Sequence, residues 1–140
     1  MTCKRTLTSL AVVAAAALAV ASLAAASSPT ASILIRHQVR GCHAWSVNGG
    51  PFKASQTLSL ARNATLTITN NDVMPHKVVQ TAGPAALLQG AAMSHMGATA
   101  TVRFKSAGVY RFTTKPGEDY MAGVKTIGED NVLVLIVKVH

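Results

Sequence analysis

From about residue 32 onward the chain is written in short apolar segments of period two, each cut off by turn-forming residues, and this restricts it to strands. Ile33, Ile35, His37 and Val39 alternate with Leu34, Arg36, Gln38 and Arg40, the pattern of a strand buried on one face. Asn48-Gly49-Gly50-Pro51 forces a turn. Leu58 and Leu60 run into Arg62-Asn63 and then into the β-branched Thr65-Leu66-Thr67-Ile68-Thr69, which ends at Asn70-Asn71-Asp72. Two strands joined by a tight turn are expected there. Further strands are expected over residues 77–80, 99–104, 109–114 and 132–139, with one short helix over residues 85–92. Roughly seven or eight strands at this spacing predict an all-β fold, an antiparallel Greek-key β-sandwich or barrel, with an immunoglobulin-like domain as the generic alternative.

The first residues carry a different message. Lys4 and Arg5 precede an apolar run over residues 7–26 made almost wholly of Ala, Val and Leu, and small residues at Ala24-Ala25-Ala26 stand before Ser27. This is the pattern of a secretory signal peptide over residues 1–26, which leaves one domain over residues 27–140 and a secreted or periplasmic location. A retained membrane anchor is the competing reading, because the apolar run approaches the length that spans a bilayer. Loss of the leader removes Cys3 and leaves Cys42 as the remaining thiol in an oxidising space. A metal thiolate, an intermolecular disulfide and an inert buried side chain are all open for it at this point.

Charge and motifs narrow the function by exclusion. The formal net charge is +8, with 13 Lys and Arg against 5 acids, yet Arg36, Arg40, Lys53, Arg62, Lys77, Arg103, Arg111 and Lys125 are spread singly. No basic block with interleaved aromatics occurs, so a solvated basic surface is expected rather than a nucleic-acid site. There is no Gly-x-Ser-x-Gly elbow, no phosphate-binding glycine loop, no His-Glu-x-x-His and no Cys-x-x-Cys, so conventional enzyme chemistry has no support.

From His43 onward the order of local signals resembles the cupredoxins, the family of plastocyanin and azurin. It comprises a Gly-bearing turn and Phe52, a strand pair, the run Asn70-Asn71-Asp72-Val73-Met74-Pro75-His76, and a late Gly108-Val109-Tyr110-Arg111-Phe112 strand. The resemblance covers almost all of residues 27–140 and implies copper as cofactor. In that family an Asn-rich strand end followed by Pro-His supplies the first copper-binding imidazole, which carries over to His76. Met121, seven positions past Thr114, is near the spacing of the family's axial methionine.

The resemblance also shows a departure. The family's copper-binding cysteine falls where this chain has Thr114, and its second histidine falls in the loop Lys115-Pro116-Gly117-Glu118-Asp119-Tyr120. A thiolate with two imidazoles is therefore missing from the usual loop. The family fold would bring other donors towards the same end, and the expected metal ligands are His76, Cys42, His43, His95 and Met121, a soft nitrogen and sulfur set suited to copper. Cys42 and His43 are strand neighbours and point to opposite faces unless Gly41 marks a bulge. Glu118 and Asp119 offer oxygen donors or an ordinary solvated turn. His37 reads as a strand residue, and His140 as a group far from the site.

The function implied is an exported copper-binding protein, for electron transfer or copper carriage. It would act as a monomer that docks on an exported redox or copper-handling partner. A metal-free β-sandwich module for binding or structure at the cell surface is the alternative, and an open-site copper redox enzyme the minor one.

Overall fold

The computed structural model describes residues 30–38, 43–124 and 132–140. The leader, Gly41 and Cys42 lie outside the described residues. Ten strands occur among those described: β1 (Thr30–His37), β2 (His43–Val47), β3 (Ser55–Leu60), β4 (Thr65–Asn71), β5 (His76–Ala82), β6 (Leu87–Gln89), β7 (Ala92–Met93), β8 (Thr99–Arg103), β9 (Gly108–Pro116) and β10 (Val134–Val139). One 3-10 turn, Gly117–Asp119, follows β9. No helix among the described residues is long and apolar enough to cross a membrane.

The strands form two five-stranded sheets, ordered β2-β1-β4-β8-β6 and β3-β10-β9-β5-β7. The all-β sandwich is thus the architecture observed. Within mostly antiparallel ladders, each sheet carries one parallel pair, β1 with β4 and β3 with β10. The period-two pattern explains which face is inside. Ala31, Ile33 and Ile35 on β1, Leu66 and Ile68 on β4, Tyr110 and Phe112 on β9, and Leu135 and Val137 on β10 meet in one core. Full burial of each Val, Ile, Leu or Phe side chain among these contributes about 1.5–3 kcal/mol. Trp45 and Phe104 are buried in the same core. The Tyr110 hydroxyl reaches back to donate to the Ser106 carbonyl at 2.6 Å, so its one polar atom is satisfied.

Turn chemistry sets the connections. Asn48 and Gly49 both have positive φ, 48° and 74°, and Gly50 N–H donates to the Val47 carbonyl at 2.8 Å. This is the geometry of a primed two-residue hairpin turn. It folds the chain back so that Trp45 bridges Lys53.

The two strands expected about Arg62-Asn63 are present as β3 and β4, but they lie in different sheets, β3 beside β10 and β4 between β1 and β8. Asn63, at φ 66°, instead carries the chain across the sandwich. Residues 85–92 are not helical: Leu87, Leu88 and Gln89 pair with Arg103, Val102 and Thr101, and Ala92 pairs with Lys77. The alanine-rich composition favours helix, but the unpaired backbone of β8 and β5 offers ladder partners that outweigh that weak propensity. Gly90 fixes the bend between β6 and β7, since its φ is +64° and a Cβ would lie 2.6 Å from the Thr99 carbonyl oxygen.

Candidate metal centre

The segment between β4 and β5 is organised by Asn70, which is wholly buried. Its amide nitrogen donates to the Met74 and Met93 carbonyls at 2.9 and 3.2 Å, and its amide oxygen accepts Asp72 N–H at 2.9 Å. One side chain therefore ties the end of β4 to its own loop and to β7. Gly97 N–H donates to the Asn70 carbonyl at 2.6 Å and fixes the 93–98 loop alongside. The first asparagine of the Asn-Asn-Asp run, Asn70, acts as a structural clip.

Asp72, held by this clip, has no exposed surface. One carboxylate oxygen accepts Met74 N–H at 3.0 Å; the other accepts from His43 Nδ1 at 2.7 Å and from His76 Nε2 at 3.2 Å. Both histidines are buried, and their rings meet edge to face with centroids 4.5 Å apart. His37 stands at the rim, its side chain 40% exposed, with Nδ1 3.9 Å from Asp72 and its ring edge-on to His43. The register of β1 with β2 places His37 directly opposite His43, so the pairing of two strands brings both imidazoles to the carboxylate.

Burial alone raises the Asp72 pKa. The hydrogen bonds from His43, His76 and the Met74 backbone more than offset burial and hold the carboxyl well below the usual carboxylate range. Asp72 is therefore an anion in a protein interior, surrounded by three imidazoles. The His76 ring faces Asp72 with Nε2, so its other nitrogen, Nδ1, points away from the carboxylate. That atom is buried and makes no hydrogen bond among the described residues. Orientation of a metal-binding imidazole by a carboxylate on its other nitrogen is a recurrent device of metal sites.

The donor atoms of His37, His43 and Asp72 all lie within 4.8 Å of one another, the separation a single ion needs to reach all three. A set of imidazoles with a carboxylate fits Cu(II) among the first-row ions, and fits Cu(I) less well than a thiolate or thioether set does.

The residues singled out from the sequence are placed as follows. His76 and His43 share Asp72. Cys42, one position before His43, lies outside the described residues. His95 is exposed, and its Nδ1 donates to the neighbouring Met96 carbonyl at 2.9 Å. Its main chain stands by the Asn70 clip, but no contact joins its ring to the cluster among the described residues. Met121 is half-buried beyond the 3-10 turn, where its N–H donates to the Gly117 carbonyl at 2.6 Å. It does not meet the Asp72 cluster among the described residues. Thr114 is buried on the core face of β9 and pairs with Val78, two positions from the Pro116–His76 pair. Glu118 is exposed.

Asp72 and His37 were the residues missed. Asp72 reads as an ordinary member of an Asn-Asn-Asp turn, and His37 as one more strand residue. The available signal was positional: His37 and His43 are separated by one hairpin-length interval, as partners at equal depth on adjacent antiparallel strands must be.

No family model matches the chain, and no curated protein does. Solved structures similar to it include a purple cupredoxin from Nitrosopumilus maritimus, at 18% identity over 78% of this chain and 98% of that one, with a TM-score of 0.46. A mutant of amicyanin in its Cu(I) form matches at 20% identity over 78% and 82% of the two chains, with a TM-score of 0.43. A multicopper oxidase matches at 20% identity over 79% of this chain but only 41% of its own length, with a TM-score of 0.45. These are likenesses of fold alone.

Proposed function

We propose that this is an exported, copper-binding β-sandwich protein whose metal is held by histidines gathered on Asp72, and that it retains the ion for electron transfer. The observation that carries the reading is the convergence of His37, His43 and Asp72 within 4.8 Å, at a carboxylate buried completely and ionised. Hydrogen bonds already offset the burial of this anion, and a bound cation would add to that compensation. His76 adds a second buried imidazole, with Nδ1 in need of a partner.

Copper would supply a one-electron couple at this site, and the chain's contribution is to hold the donors. The strands β1 and β2 fix His37 and His43, and the Asn70 clip fixes Asp72 and His76. Retention is favoured over delivery to another protein because His43, Asp72 and His76 are buried, which slows ligand exchange. Among the described members of the cluster His37 is the one open to solvent, and it is the natural route for the ion to enter. The usual-loop thiolate is absent, since Thr114 occupies the cysteine position implied by the sequence resemblance. The secretory-type leader supports export, and the basic surface suits docking on an acidic exported partner.

A second reading follows from one observation. The Asp72 carboxylate already accepts three hydrogen bonds, so a metal-free polar core that locks the β4–β5 loop is self-consistent. Copper titration followed by elemental analysis separates the two. The copper reading expects one tightly held equivalent in the protein and loss of it in His43→Ala and His76→Ala. The metal-free reading expects no retained copper, and variants that lose stability only.

A further inference from the structure

Beside β5 of the second sheet a cavity of about 550 Å³ opens, lined also from β9 and the 82–91 segment. It is separate from the Asp72 cluster, since His76 faces the core while Lys77 faces outward. Its volume is in the range of small-molecule sites. Val79, Leu88 and Ala91 supply apolar walls, and Lys77, Lys115 and Tyr120 supply polar groups.

The polarity is one-sided. Lys77 and Lys115 are directly opposite partners on the antiparallel β5–β9 ladder. Like charges in that position repel, and neither ammonium forms an ion pair with an acidic side chain among the described residues. The Tyr120 hydroxyl is buried and makes no hydrogen bond among the described residues. Gln80 lines the cavity as well, but its amide is already committed: the nitrogen donates to the Pro84 carbonyl at 2.6 Å and the oxygen accepts Ala86 N–H at 3.1 Å. It shapes the cavity wall and leaves the two lysines and the phenol as the donors offered to a ligand.

We infer that this cavity binds a small organic anion, a carboxylate carried on an apolar or aromatic body. The carboxylate would lie between Lys77 and Lys115 and accept the Tyr120 hydroxyl, relieving both the cross-strand repulsion and the unpartnered phenol. The apolar body would rest on Val79, Leu88 and Ala91.

The test is titration of the ¹⁵N-labelled protein, without added copper, by benzoate, with benzamide as the neutral isostere and sulfate as the anion lacking an apolar body. Saturable shifts confined to the amides of residues 77–80, 88–91, 115 and 120 are expected with benzoate, and much weaker ones with either control. Lys77→Gln/Lys115→Gln should weaken benzoate binding by about tenfold or more, as loss of charge-assisted hydrogen bonds does. Tyr120→Phe should weaken it several-fold while the rest of the spectrum stays native. Three results would each overturn the assignment: no saturable shift with benzoate, equal affinity for sulfate, or an affinity unchanged in the lysine double variant. Shifts centred instead on His37, His43 and Asp72 would also overturn it.

Discussion

His43 Nδ1 lies 2.7 Å from the Asp72 carboxylate, and neither side chain is more than marginally exposed, so a strand of one sheet edge is joined to the β4–β5 loop through a buried charge. This single contact links fold and function. It fixes the start of β2 relative to the Asn70 clip and orients one imidazole at the place where a second, His76, arrives from β5.

Replacement of Asp72 by Asn should keep the shape and remove the anion. The hydrogen bonds from His43 and His76 lose their charged acceptor, and a cost of about 2–3 kcal/mol is expected for the metal-free protein. Urea unfolding of both proteins measures it. A difference below about 0.5 kcal/mol, as for an ordinary surface change, would mean that the carboxylate is not buried as described.

The pH dependence follows from the same group. The folded-state pKa of Asp72 is depressed below its ordinary value of 3.8. Its contribution to stability is therefore fully present above that ordinary value and is lost as the pH falls through it towards the folded-state one. Unfolding free energies of the metal-free protein, followed from neutral pH to below pH 3.8, should drop in this acid window. In Asp72→Asn this part of the slope should be missing; parallel curves for the two proteins would contradict the assignment.

Asn70→Ala should loosen two loops at once. It removes donors to the Met74 and Met93 carbonyls and the acceptor of Asp72 N–H. Stability should fall by about 2–4 kcal/mol, since buried backbone groups are left unpaired. Amide hydrogen exchange should rise both at residues 72–76 and at residues 93–98. Faster exchange in the first segment alone would show that the clip does not span both.

Thr114→Cys tests the departure from the cupredoxin pattern. Thr114 is diagonal to His76 across the β5–β9 ladder, on the same buried face. Side chains so placed are within reach of one another, or of one ion between them. The native copper form should show only weak visible absorption, and Thr114→Cys should add an intense sulfur-to-copper band. Unchanged spectra in the variant would place the copper away from β9.

The strand pattern was legible because one-face burial writes itself into alternation, as with Ile33 and Ile35 on β1 or Tyr110, Phe112 and Thr114 on β9. Sheet membership was not, because a turn such as Arg62-Asn63 looks the same whether it returns the chain within a sheet or passes it to the other. The helix expected over residues 85–92 failed for a related reason: the decisive partners, Val102 and Lys77, are distant in sequence. At the site, the Pro-His context drew attention to His76. Asp72 did not stand out, since an aspartate in a turn is ordinarily solvated and only the surrounding imidazoles show that this one is not. His37 gains its place from β1–β2 register alone.

The most direct test of the copper reading is pulsed electron spin resonance of the protein loaded with one equivalent of Cu(II), which counts the imidazole nitrogens coupled to the ion. The account predicts at least two coupled imidazoles, a signal that persists in Cys42→Ser and in His95→Ala, and its loss or conversion to a weakly bound form in Asp72→Asn and His43→Ala. A Cu(II) signal identical in the native protein, Asp72→Asn and His43→Ala would contradict it and place any bound copper elsewhere on the chain.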